Sequence, residues 1–260
     1  MAKIHDRERP SFEPSNNVTV QRCFYAYEWA EEFVKGKRVA DIGCGTGYGT
    51  IHLAKFAESA VGVDYSVETV AQNKKDNAHI TNLEFINCTV PPITLPDASF
   101  DVVTAFQFIE HLNDPLGFIK EAKRILKPGG VFLCTTVNAK MSLARNPFHV
   151  FEYTFDGMEA DFRKVFGDVE MIGLQGNDRV NEYYKQNAKW VRSIMKWDIL
   201  GLHKILPGKV LAFPYNLLTS MMRRNLMEEN KQTTDINTSD FFLQKDNLDK
   251  TWDIFVIAKN

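Results

Sequence analysis

The chain has 260 residues, of which 44% are hydrophobic and 25% charged, enough apolar material for one large or two small domains. Its formal net charge of −2 gives no global reason to expect nucleic acid or an anionic membrane as a partner. Cys23, Cys44, Cys88 and Cys134 form no CxxC pair and no Cys/His cluster with zinc spacing, which fits free thiols in a reducing cytoplasm.

The charged start MAKIHDRERP lacks an apolar segment, so no signal peptide is expected, and residues 1–16, with Pro10 and Pro14, read as a loose arm. No apolar run of about 18 residues suggests a membrane span. A cytoplasmic location follows as an expectation, with peripheral membrane contact left open. From Val18 to Val34 apolar residues recur at helical spacing, and Gly36 ends that helix. RVADI is a short strand and Thr50–Phe56 a helix. SAVGVD is a second strand, and Ser66 is placed to cap the helix after it. LEFIN and FDVVTAF are the third and fourth strands. Pro115–Leu126 is a helix, Lys127-Pro128-Gly129-Gly130 a stop signal, and VFLCTTV the fifth strand.

Short apolar strands alternating with helices imply βαβ units and a parallel sheet covered on both faces. Beyond Asn138 come an amphipathic stretch from Phe155 to Phe166, a strand from Val169 to Leu174, and two or three helices between Asn181 and Asn230. TWDIFVIAK is a last strand, with FFLQKDN as its candidate hairpin partner.

Ligands of such sheets bind beyond the carboxyl ends of the strands, where ADIGCGTGYGT follows the first strand. A dinucleotide loop reads GxGxxG and receives a pyrophosphate. Here Gly43, Gly45, Gly47 and Gly49 give GxGxGxG, with Asp41 two residues ahead. A carboxylate so close suits an ammonium better than a pyrophosphate. S-adenosylmethionine fits, because it carries an amino-acid end, a sulfonium and a ribose but no phosphate. Asp64, ending the second strand, can accept both ribose hydroxyls.

DIGCGTGYG, VGVDYS, LPDASFDVV, EHLNDP and ILKPGGVF resemble, in order, the motifs of class I S-adenosylmethionine-dependent methyltransferases, from about Arg38 to Asn138. RCFYAYEWA, NPFHVFEYT and DFFLQKDNLDKTWDIFVIA resemble a bacterial subgroup associated with cell-envelope glycan or nucleotide-sugar pathways. The resemblance implies that Asp41, Gly43 and Gly45 border the methionine end, that Asp64 holds the ribose, and that Tyr65 lies against adenine. Thr89 stands where the family often has an acidic residue facing the adenine amino group, with the Val90 N–H beside it. Cys44, Tyr48 and Phe106 complete the expected cofactor-binding set.

Three side chains are candidates for catalysis. Glu110 and His111 follow the fourth strand at the cleft mouth. They resemble the E-x-x-E-H arrangement of methyltransferases acting on quinone-precursor hydroxyls, but Gln107 replaces the first carboxylate. The pair is read as a general base, as a weak divalent-ion site, or as a cleft-wall pair; no metal site is assigned. His149, with Glu152 nearby, is either a base for a hydroxyl acceptor or a loop histidine bonding backbone. Tyr25 and Tyr27 either close over the cofactor or pack the first helix. Trp190, Trp197, Met195, Leu200, Leu217, Met221 and Met222 line an acceptor pocket or form helix core. The interspersed Lys185, Lys189, Arg192, Lys196, Lys204, Lys209, Arg223 and Arg224 attract a phosphorylated acceptor or are solvated faces.

The expected architecture is a doubly wound, Rossmann-like α/β sheet of seven strands, the last antiparallel. Its domain covers 17–177 and 238–260, and 178–237 is a helical cap insertion. The expected activity is O-methylation of a small-molecule or sugar-like acceptor with S-adenosyl-L-methionine. A non-catalytic cofactor-binding regulator and a nicotinamide-dependent oxidoreductase are the alternatives. Oligomeric state is not legible.

Overall fold

In the computed structural model, residues 14–142, 146–195 and 234–260 are described. Eight strands form one sheet: β1 (Arg38–Ile42), β2 (Ser59–Asp64), β3 (Leu83–Asn87), β4 (Phe100–Phe106), β5 (Leu126–Val137), β6 (Asp168–Gly176), β7 (Phe241–Gln244) and β8 (Asp253–Lys259). Their order is β3-β2-β1-β4-β5-β8-β6-β7. The first five are mutually parallel, and β8 runs antiparallel between β5 and β6.

The sheet therefore has one strand more than the seven expected. FFLQ forms β7, but it pairs antiparallel with β6 and not with the last strand, correcting the expected hairpin. The bonding partner of so short a segment is set by the register of distant strands, which no local pattern encodes.

The strand order reverses between β1 and β4, so their carboxyl ends open the crevice in which doubly wound folds bind ligands. The central strands read as continuous apolar runs because both faces are covered; β1 is buried at every position after Arg38. One face packs α4 (Pro115–Ile125) and α5 (Phe155–Arg163) through Phe118, Phe132, Phe162 and Phe166. The other carries α1 (Asn17–Val34) and the start of α6 (Asp178–Met195) on Leu133, Leu174 and Phe255. Cys23, Ala26, Tyr27, Ala30 and Val34 are the buried stripe of α1, at the three-and-four spacing of an amphipathic helix.

Helix starts follow their capping chemistry. Ser66 Oγ accepts the Thr69 N–H at the head of α3 (Val67–Asp76). Asp114 accepts the Gly117 N–H at 2.8 Å ahead of α4, whose first residue is Pro115. α2 covers Tyr48–Ala54, two residues earlier at each end than the expected helix. The Lys127–Gly130 signal stands just past the end of α4 at Ile125, one residue short of the expected Leu126. It loops out within β5, with Gly129 at φ +77° and the ladder shifting between Phe100 and Val102.

Of the expected cap, α6 is described, and its first turns are core: Val180, Tyr183 and Tyr184 are buried, and the Trp252 ring stacks on Tyr184 at 4.0 Å. Residues 196–233, with Trp197, Leu200, Leu217, Met221, Met222 and the basic residues from Lys196 to Arg224, lie outside the described residues. So do residues 1–13 of the arm.

Candidate active site

The glycine loop runs from the end of β1 to α2. Gly43, Gly45 and Gly47 all have positive φ, a backbone path that glycine adopts without strain. A Cβ at Gly43, Gly47 or Gly49 would collide with the ring of Phe108, Phe85 or Tyr27 respectively. The small residues thus let aromatic rings close against the loop, a use of glycine different from ligand approach.

Asp41 lies beneath this loop and is 1% exposed. Thr50 Oγ1 donates to its Oδ2 at 2.6 Å, Thr104 Oγ1 to its Oδ1 at 2.8 Å, and the Tyr27 hydroxyl reaches Oδ2 at 3.5 Å. Burial raises its pKa to about 6 against the lowering effect of those hydroxyls. Both oxygens are bonded inside the protein, joining β1, α2, β4 and α1. Tyr27 is 4% exposed, and burial, with Asp41 adjacent, pushes its own pKa well up. It packs the helix, as does Tyr25, whose ring meets Phe241 and Phe255 at 6.4 Å.

Asp64 ends β2. Its Oδ2 accepts the Gly45 N–H at 3.0 Å and its Oδ1 the Ser66 N–H at 2.9 Å. Each carboxylate oxygen has two acceptor positions, so this clamp is compatible with a diol laid across the same edge. Asn73 on α3 adds a bond the sequence reading missed, donating from Nδ2 to Gly45 O at 2.9 Å. An amide one helix away bears no local signal of contact with the loop. Tyr65 is half exposed beside Asp64, and Thr89 is exposed just beyond β3, with the partly buried Val90 next to it. The Cys88 N–H donates to Asp64 O at 3.1 Å, which brings that segment to the end of β2.

Cys44 and Phe106 face inward. Cys44 packs with Val70 and Phe85, and the Phe106 ring lies 4.9 Å from Tyr27. Tyr48 is partly buried, 5.5 Å from the Tyr27 ring, and desolvation raises its pKa well above the ordinary tyrosine value.

Glu110, His111 and His149 come together although 38 positions separate the two histidines. Each offers a ligating atom within 4.8 Å of the others. The imidazole rings meet edge-on at 5.1 Å. Val150 N donates to Glu110 O at 2.9 Å, tying the two segments. Glu110 is 1% exposed and accepts from Thr136 Oγ1 at 2.8 Å. His111 Nδ1 lies 3.3 Å from Phe148 O, and His149 Nδ1 lies 2.7 Å from Glu152 Oε1. Asn146 Nδ2 stands 2.8 Å from His149 Nε2, and Ser142 Oγ donates to Glu152 Oε2. Burial would raise the Glu152 pKa, but the bonds from His149 and Ser142 hold it below the ordinary carboxylate range.

A carboxylate with two imidazoles is a donor set suited to zinc and similar divalent ions. Glu110 Oε2, His111 Nδ1 and both His149 nitrogens already have protein partners, however. The hydrogen-bonded arrangement matches a base-and-orienter pair more directly.

A family model described as a methyltransferase domain matches residues 40–134. The ubiquinone biosynthesis O-methyltransferase of Coxiella burnetii is 36% identical over 176 residues, covering 65% of this chain and 68% of that protein. The chain belongs to the S-adenosylmethionine-dependent methyltransferases. A Mycolicibacterium smegmatis protein named "Probable S-adenosylmethionine-dependent methyltransferase" is 42% identical over 141 residues, 52% of this chain and 54% of that one. The first curated relatives are thus spanned over only 54% and 62% of their length. A solved methyltransferase from Thermotoga maritima covers 100% of this chain and 99% of its own, with a TM-score of 0.61 at 16% identity, a likeness of fold. S-adenosyl-L-methionine is the cofactor of this methyltransferase family, which sets the nicotinamide alternative aside. Among the described residues no helix is long and apolar enough to cross a membrane.

Proposed function

We propose that this methyltransferase transfers the methyl group of S-adenosylmethionine to a hydroxyl of a small-molecule or sugar-like acceptor, with His111 as the base. The carrying observation is the junction of Glu110, His111 and His149 at the cleft mouth. The proposed cofactor residues are Asp64 for the ribose, Tyr65, Thr89 and Val90 for the adenine, and Gly43 and Gly45 for the methionine end. The envelope-glycan resemblance favours a sugar-like acceptor.

The cofactor supplies an activated methyl group, and the protein supplies orientation. Alignment can lower the barrier by about 7–11 kcal/mol, whereas a base adds about 10²–10⁴-fold. If His111 donates from Nδ1 to Phe148 O, its basic lone pair is on Nε2, the tautomer a proton acceptor needs. Glu152 orients His149, whose ring edge then holds His111 in place. O-methylation is also supported by the name of the Coxiella burnetii relative.

The test is incubation of the full chain with deuterated-methyl cofactor and a bacterial extract, followed by untargeted mass spectrometry. One metabolite should gain about 17 mass units, the exchange of H for CD₃. No labelled product, beside clear calorimetric binding of S-adenosylhomocysteine, would refute transfer and favour a non-catalytic cofactor-binding role.

A further inference from the structure

Beside the carboxyl end of β5, the first residue of β8 is an acid. Asp253 is 1% exposed, and among the described residues its carboxylate is met by the Arg22 guanidinium and the Gln107 side chain, neither at full hydrogen-bond geometry. Arg22 of α1 comes to 3.2 Å from Oδ2, yet its Nε is also without a hydrogen-bond acceptor there. The guanidinium is positioned instead by its NH1, which donates to the Tyr184 hydroxyl at 3.0 Å. Thr135 is fully buried and its Oγ1 is likewise unmatched.

These groups share one place. β8 pairs Val137 with Asp253 and Thr135 with Phe255, so Thr135 and Asp253 are diagonal neighbours on the face toward α1. That end of β5 is the carboxyl end, where ligands of doubly wound sheets bind. Gln107, just past β4, turns its side chain toward Asp253 as a hydrogen-bond donor, and its own backbone is at φ +52°. Left-handed backbone at a non-glycine residue clusters at functional sites. Four of the five unmatched buried side-chain atoms among the described residues belong to Arg22, Thr135 and Asp253. Arg22 and Gln107 answer Asp253 by charge and reach but not at full geometry, so its oxygens keep acceptor positions for further donors, and Thr135 Oγ1 stays unmatched beside them.

We infer that Asp253, Arg22 and Thr135 form the acceptor subsite of this enzyme and recognise a vicinal diol of a neutral, sugar-like molecule. This rests on the reading of the chain as an O-methyltransferase. Two adjacent hydroxyls donate to the two Asp253 oxygens, and one of the hydroxyl oxygens accepts from Arg22 Nε. An ammonium group would answer the carboxylate but meet the charge of Arg22 and leave Nε unmatched. A phosphate or carboxylate would answer Arg22 but face Asp253, with Glu110 close enough to add to the repulsion. A neutral diol satisfies both sides. Burial pushes the Asp253 pKa to about 6, so a ligand that brings donors also restores its charge.

The experiment uses the full chain, deuterated-methyl cofactor, and a polar bacterial extract before and after periodate oxidation, which cleaves vicinal diols. Labelled product should fall about tenfold or more after oxidation, and should fragment as an aliphatic glycoside. Asp253→Asn should lose about tenfold or more of the labelling with S-adenosylhomocysteine affinity unchanged, and Thr135→Val should lose about threefold or more. Undiminished labelling after periodate, a labelled phenol, or wild-type labelling by Asp253→Asn would overturn the inference and leave a structural water as the occupant. Should Asp253→Asn fail to bind S-adenosylhomocysteine, the periodate arm and Thr135→Val decide. Absence of label from the wild-type chain in untreated extract would instead sink the transfer reading, and this inference with it.

Discussion

Asp41 makes the most exacting prediction, because its environment sets two opposed effects against each other. Burial removes water from the carboxylate, and three hydroxyls partly replace it. The balance leaves its pKa raised from 3.8 to about 6. An acid whose folded pKa is raised binds its proton more tightly when folded. Its destabilising effect is therefore absent below 3.8, grows through the window from 3.8 to about 6, and is complete above that. Fully developed, the cost is about 3 kcal/mol, of which about 2 kcal/mol separates pH 4 from pH 8. Asp41→Asn keeps the shape and removes the titration. Denaturant unfolding of both proteins at pH 4 and pH 8, without cofactor, isolates the effect, because other groups cancel in the difference. The variant's relative stability should improve by about 2 kcal/mol on going to pH 8. A difference that does not change with pH would refute the reasoning. One of opposite sign would mean that the hydroxyls outweigh burial.

Asp64→Ala should weaken S-adenosylhomocysteine binding by about 1–3 kcal/mol, roughly 5- to 150-fold by calorimetry, since the Gly45 and Ser66 N–H groups lose their charged acceptor along with the ribose. Unchanged affinity would remove Asp64 from the cofactor site. His111→Ala should lower turnover by about 10²–10⁴-fold with little change in cofactor affinity, and equal loss of both would make it structural. His149→Ala should lower turnover more than cofactor affinity, with loss of the orienting contact to His111; normal turnover would make His149 structural. Dialysis against a chelator should leave the rate unchanged, because Glu110 Oε2, His111 Nδ1 and both His149 nitrogens are engaged by protein partners. A large loss restored by a divalent ion would establish a metal at Glu110, His111 and His149.

The sequence by itself determined the alternation of strands and helices, the glycine loop, and the acids ending β1 and β2. These are local: apolar runs bounded by turns make buried parallel strands, and a run of glycines records close approach wherever it occurs. Ser66 and Thr50 could be read near their elements for the same reason. Tertiary structure alone decided that Asp41 turns inward to Thr50, Thr104 and Tyr27, and that Phe106 packs on Tyr27 in the core. It also decided that FFLQ joins β6 and that His149 meets His111. Asp253, an ordinary acid within TWDIFVIAK, acquires its buried place beside Arg22, from the other end of the chain, only once β8 pairs between β5 and β6. Periodicity reports which face of an element is buried. What that face meets depends on the pairing of strands far apart in the chain, and that is set by the closure of the whole sheet.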